Sequence, residues 1–282
     1  MAYFLAEVGG VDLGESRSRR ERFFAANPIC CFCGGEAAAV TIDHIPPRAA
    51  FARRVGPEGF EFPSCEACNH DTAGSEQIFS LYVRVMDRNT SNYDKDYNIA
   101  LIQGISNNYP HLLPELNLSA NRYRRILRQW GWDKPRHGLL SDASIVAIPG
   151  EVKIHIEIVG LKLLAALYYR HKAHMLTPRE STLIAWSQQG LPGVDEALNT
   201  LAGGFPELVV GQRINTSIGD QFAYRWGENP KEGLFGIVAG FGGGLLLIAA
   251  SAPASVSEAH EEWRLFEPPR LLSDRAPFLE VN

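Results

Sequence analysis

Apolar and polar positions change their rhythm several times along this chain, and each change predicts an element. Residues 11 to 27 carry Arg17, Arg19, Arg20 and Arg22 interleaved with Glu15 and Glu21, which predicts a solvated helix. "AAAVTID" (Ala37 to Asp43) is apolar and partly β-branched, and predicts a short strand ending at Asp43-His44. Pro46 and Pro47 end regular structure there. "FEFPSC" (Phe60 to Cys65) predicts a second short strand. From Cys68 a helix is expected, with Asn69 or Asp71 as its cap and Ile78, Leu81, Tyr82 and Val85 as its apolar stripe. Residues 75 to 130 read as mostly helical.

Strict alternation follows from Ser144, clearest in "VKIHIEIV" (Val152 to Val159), with Lys153, His155 and Glu157 on one face, and predicts a strand. "GLKLLAALYYRHKAHM" predicts a helix burying Leu163, Leu164, Leu167 and Tyr168. His171 and His174 fall at helical spacing near its C-terminal end. Favourable charge at a helix end is the expected role, with metal binding the alternative. Between Pro206 and Ser251, "ELVVGQR", "QFAYRWG", "GLFGIVA" and "LLLIAAS" predict antiparallel strands, with "WGENPKEG" as a hairpin turn. Gly233 to Ala252 holds no charge and is long enough to cross a membrane. Gly240, Gly242, Gly243 and Gly244 crowd its centre, however, and no basic residue flanks its C-terminal end. A glycine turn between two buried strands is the expectation instead.

The 282 residues suffice for one large domain or two modest ones. The expected division is residues 1–90 against residues 91–282. With 45% hydrophobic and 21% charged residues the chain can bury a sizeable core. A net charge of -5 provides no global attraction to nucleic acid, so any polyanion site must be a local basic patch. The opening "MAYFLAEVGG" lacks a basic export segment, and Glu7 breaks its apolar run, so a cytoplasmic protein is expected.

All five cysteines fall between Cys30 and Cys68. A secreted disulfide framework would scatter them. Cys30-x-x-Cys33 and Cys65-x-x-Cys68 instead offer four thiolates in two knuckles, a set that suits tetrahedral zinc. Cys31 is left over and is expected to pack beside its knuckle. The competing reading is two unrelated buried pairs in a reducing compartment. The order is then knuckle, strand, Asp-His, loop, strand, knuckle, helix. In so small a unit zinc would add stability that a core cannot.

This block, through Cys30, Cys33, Asp43-His44, Pro46, Cys65, Cys68 and Asn69, resembles the HNH endonucleases, zinc-stapled members of the ββα-metal nucleases. The resemblance covers roughly fifty residues. It implies an α+β protein: an HNH unit followed by a mixed helical and antiparallel-sheet region. It implies that His44 is the general base that activates water. Asp43 and Asn69 match ligands of a catalytic Mg2+ or Mn2+, and the four cysteines match structural zinc ligands. The family's middle Asn has no match between His44 and Asn69, and His70 is a second candidate ligand if the helix starts one residue later. The implied substrate is DNA, double-stranded in the first instance.

The chemistry stands beside the resemblance. A neutral imidazole can take a proton from water near pH 7. A hard cation on Asp and Asn oxygens can stabilise charge at phosphorus and on the leaving oxygen. Adjacent Asp and His point to opposite sides of an extended backbone, so the "IPP" bend must bring their functions together. Arg48, Arg53 and Arg54 could hold flanking phosphates. So could Arg122, Arg124, Arg125 and Arg128, within a stretch that also holds Tyr123, Trp130 and Trp132; the plainer reading is a solvated basic helix face. Residues 91–282 carry no catalytic pattern; dimerisation, DNA holding or ligand sensing are the expectations. The reading opposed to a nuclease is a non-catalytic zinc module with a partner-binding C-terminal region.

Overall fold

The fold is built around two antiparallel systems of very different size, joined by one helix. A computed structural model describes residues 13–87, 95–114, 121, 125, 148–188, 203–211 and 218–273. The basic N-terminal segment forms helix α1 (Leu13–Ala26), whose Arg17, Arg19 and Arg20 are exposed as expected. The first system is a hairpin of β1 (Thr41–His44) and β2 (Glu61–Ser64), in register from Thr41 opposite Ser64 to His44 opposite Glu61. It is followed by α2 (Glu66–His70) and α3 (Ala73–Met86). The α2 cap is Cys65, whose sulfur accepts from the Cys68 N–H, so Asn69 lies inside the helix and Asp71 at its end rather than at an N-cap. The stripe along α3 is buried at Ile78, Leu81 and Tyr82, and α4 (Lys95–Asn108) packs against it through Leu101 and Ile105.

The second system is a six-stranded antiparallel sheet in the order β4-β5-β6-β7-β3-β8. Its strands are β3 (Glu180–Gln188), β4 (Val209–Val210), β5 (Phe222–Asn229), β6 (Leu234–Phe241), β7 (Leu245–Pro253) and β8 (Arg264–Leu265). The strands expected from "QFAYRWG", "GLFGIVA" and "LLLIAAS" are present, and among its described residues "ELVVGQR" contributes Val209–Val210. The charge-free stretch is indeed β6, a glycine turn and β7, and no described helix is long and apolar enough to cross a membrane. Gly244 in that turn lies against α3: a Cβ there would sit 2.4 Å from the Met86 backbone.

The strand expected over Val152–Val159 is not one. It opens the long helix α5 (Val152–Lys172), which runs without a break into "LKLLAALYYRHK". Alternation signals a strand only where one face is wet. Here Val152, His155, Ile156, Ile158 and Val159 are all buried, because α5 lies between α3 and the sheet. Gly160 permits this close packing, since a Cβ there would come 2.7 Å from Ile184 of β3 and 3.0 Å from Leu247 of β7. Two short helices, α6 (Val256–Ala259) and α7 (Pro269–Ser273), close the described chain.

The main hydrophobic core runs continuously from Cys30 to Phe266, and a second, small cluster of Leu81, Leu101 and Ile105 seats α4. Aromatic edges tie the hairpin to the sheet: Phe60 meets Phe222 at 5.5 Å and Tyr224 at 5.8 Å, both T-shaped. The loop after β1 is pinned at Ala52, whose N–H donates to Gln221 Oε1 at 2.7 Å.

Candidate functional site

The hairpin brings the two knuckles together. Before β1, the Cys30 N–H donates to Ala37 and the Cys31 N–H to Pro63, each at about 3 Å, so the first knuckle is stitched to the hairpin. Cys65 and Cys68 follow β2 directly. The sulfurs of Cys30, Cys33, Cys65 and Cys68 all lie within 4.8 Å of one another, and all four residues are buried. Backbone N–H groups donate to two of them: Phe32 to Cys30 and Cys68 to Cys65, both at 3.4 Å. The set can hold a tetrahedral metal ion such as zinc. Its electrostatics point the same way. Hydrogen bonds from Cys30 and Cys68 draw Cys33 down to about 2, while the bond with Cys33 raises Cys30 to about 11 and bonds to both partners push Cys68 up. One thiolate thus opposes the next, and a bound dication would let all four coexist. Cys31 stays outside the cluster. Burial first, then the Cys30 and Asp43 charges, push its thiol well up, and it packs as the expected core residue.

Beside the knuckles lies a cleft of about 480 Å³. Asp43 and His44 at the end of β1, Asn69 on α2 and Arg48 and Arg54 from the intervening loop all line it. A second hollow of about 530 Å³ shares His44, Arg48 and Arg54 and extends past Arg19. Five of the candidate residues therefore line one cleft. Arg53 does not line either hollow; it has a positive φ of 55°, and Arg54 one of 56°. His70 does not join the cleft: its side chain is 86% exposed and lies 3.3 Å from Asp71 Oδ1. Arg125 is helical and exposed, while Arg122, Arg124 and Arg128 lie outside the described residues.

His44 is half-buried, with Nε2 3.5 Å from Glu61 Oε1; the other Glu61 oxygen accepts from Arg19 at 2.7 Å. Burial, then the neighbouring Arg48 charge, lowers its pKa, although Glu61 and Asp43 pull the other way. The ring is thus kept neutral and able to accept a proton near pH 7. The loop is braced from below by buried Arg84, which donates to the Phe51 carbonyl at 2.8 Å and to Asn98 at 2.5 Å.

Asp43 and His44 line the same cleft although they are adjacent strand residues, and Asp43 is the more buried at 3% exposure. Its Oδ2 accepts from Lys162 Nζ at 2.6 Å. Lys162, on α5, also donates to Thr72 Oγ1 at 2.8 Å and to Glu76, a further residue lining the cleft. Burial opposes its charge, but Asp43 and Glu76 outweigh that and lift Lys162 above the usual lysine range. Glu76 in turn is raised to about 7 by burial, with Lys162 pulling it back. Neither Lys162 nor Glu76 was flagged by spacing or motif. The available signal was one lysine inside the otherwise uncharged run from Ile158 to Tyr169.

Of the helix-end histidines, His171 differs from expectation. His171 stacks on Trp226 at 4.0 Å and 19°, and burial followed by the Arg170 charge lowers it to about 4. A neutral stacked ring supplies no helix-end charge. Among the described residues, the four cysteines are the sole group of three or more His, Cys, Asp or Glu side chains close enough to hold a metal, so His171 and His174 form no such site.

No protein-family model, curated protein or solved structure matches this chain.

Proposed function

We propose that this protein is an HNH-type, metal-dependent endonuclease that hydrolyses phosphodiester bonds of DNA. The supporting observation is that Asp43, His44, Asn69, Arg48 and Arg54 meet on one cleft beside the cysteine cluster. In this reading the four thiolates hold zinc and fix the hairpin against α2. Asp43 and Asn69, hard oxygen donors that both line the cleft, would hold Mg2+ or Mn2+. That ion supplies neutralisation of charge at phosphorus and on the leaving 3′ oxygen. His44, kept neutral by burial, takes the proton from the attacking water. Arg48 and Arg54 hold phosphates on either side of the scissile bond.

The test is plasmid cleavage with Mg2+ or Mn2+ by the zinc-loaded chain and by His44→Ala. The substitution should slow cleavage by about 10²–10⁴ while leaving the fold intact. No cleavage by either protein would sink this reading.

One observation favours the opposing reading of a non-catalytic zinc module: Asp43 already has a cationic partner in Lys162. A chain that carries zinc, binds DNA and never cuts it under any divalent ion would fit that module.

A further inference from the structure

Lys162 is used by neither the zinc cluster nor the cleavage chemistry, yet it is the most buried lysine or arginine among the described residues. Its side chain has no solvent exposure. An ammonium has three protons, and Asp43, Thr72 and Glu76 take one each. The Cys68 carbonyl lies at 3.5 Å and the Phe32 ring at 5.1 Å, so the group also touches both knuckles. A buried charge this well satisfied has a fixed position. α5 is pressed against the sheet at Gly160, so the backbone that carries the lysine is held in place.

This matters for any cation that approaches Asp43 from the cleft. It meets a carboxylate whose charge is already shared with an ammonium, and like charges at such range repel strongly away from bulk water. Arg48 and Arg54 line the same cleft and add to that repulsion. A phosphodiester reverses the balance, because its negative charge is attracted by the arginines and by the incoming cation together.

We propose that Lys162 is a positioning residue that fixes the Asp43 carboxylate and keeps divalent-cation affinity low until a phosphodiester occupies the cleft. The proposal rests on the nuclease reading, and it makes metal and DNA binding mutually dependent. Such coupling is reciprocal and typically lies in the range of about 5–150-fold.

The experiment measures Mn2+ binding by electron paramagnetic resonance on the full zinc-loaded chain carrying His44→Ala, with and without a short DNA duplex. The duplex should tighten Mn2+ binding about tenfold or more. Adding Lys162→Met should tighten Mn2+ binding by a similar factor without DNA and remove most of the gain from the duplex. Lys162→Arg, which keeps the charge, should behave as the parent does. If Lys162→Met fails to fold, Lys162→Gln, still able to donate to Asp43, replaces it. Equal Mn2+ affinity with and without duplex overturns the proposal and needs no Lys162 variant. So does an Mn2+ affinity unchanged by Lys162→Met. Plasmid cleavage by the wild-type chain judges the nuclease separately: cutting combined with uncoupled Mn2+ binding would remove the role of Lys162 and leave the nuclease standing.

Discussion

The hairpin and the sheet solve the same problem by different means. In β1–β2 only four residues pair on each strand, and a two-stranded ribbon of that length cannot hold itself together in water. In the sheet, β5, β6 and β7 run for eight or nine residues, and β7 is buried at every position but the last. Apolar area stabilises the sheet against α5. The hairpin depends on four thiols gathered around one point, with phenylalanine edges as its bridge to the sheet. The half that carries the cleft therefore has little apolar area of its own and a cysteine cluster able to hold a metal, whereas the half without recognisable chemistry stands on packing.

Removing the metal should separate the two most sharply. Elemental analysis is expected to find one zinc per chain. Chelation, or Cys68→Ser, should open residues 30–70 to hydrogen exchange while β5–β7 stay protected. The loss should be large, since structural zinc in small domains contributes on the order of 10 kcal/mol. A Cys68→Ser protein that melts like the wild type would erase the contrast. The converse probe is Gly160→Ala. Its methyl group would press on Ile184 and Leu247, so a destabilisation of about 1–3 kcal/mol is expected, read by denaturant unfolding. Zinc content should be unchanged at low denaturant. If zinc is lost as well, the two regions are less separate than their construction suggests.

The smallest effect is a pH dependence on the sheet side. His171 is lowered from 6.5 to about 4 in the folded chain, by burial and Arg170 against the opposing pull of Glu228, and its Nε2 lies 3.4 Å from the Tyr224 hydroxyl. The unfolded chain therefore binds this proton more readily. The contribution to stability is complete above pH 6.5 and is lost as pH falls from there toward about 4. Melting curves across that window should fall less steeply in His171→Phe, which keeps the stack on Trp226. Identical slopes would show that His171 does not titrate as its surroundings imply.

The contrast also governs what was legible beforehand. The hairpin could be read because its chemistry is local: Cys-x-x-Cys spacing, an Asp-His pair at a strand end and prolines that stop the strand. The glycine turn between β6 and β7 was legible for the same reason. The start of α5 was not, because its only polar edge is the Lys153–Glu157 pair, too narrow to betray a helical period, and its β-branched residues imitate a strand. Lys162 was invisible for a different reason. It lies 119 residues from Asp43, and no spacing rule links a lysine in one helix to a strand end so far upstream. The charge expected of His171 failed because sequence shows the helix end but not the tryptophan that covers it.

Gly160 and Lys162 are two positions apart on α5, and at about 100° per residue they face nearly opposite sides of the helix. One meets the sheet, the other meets Asp43. Chain length through this segment is consequently as constrained as residue identity. Inserting or deleting a single residue between them would swing one side about 100° relative to the other, leaving either a side chain jammed into β3 and β7 or a carboxylate without its ammonium. Among descendants of this sequence, length changes should collect in the surface turns and spare the middle of α5.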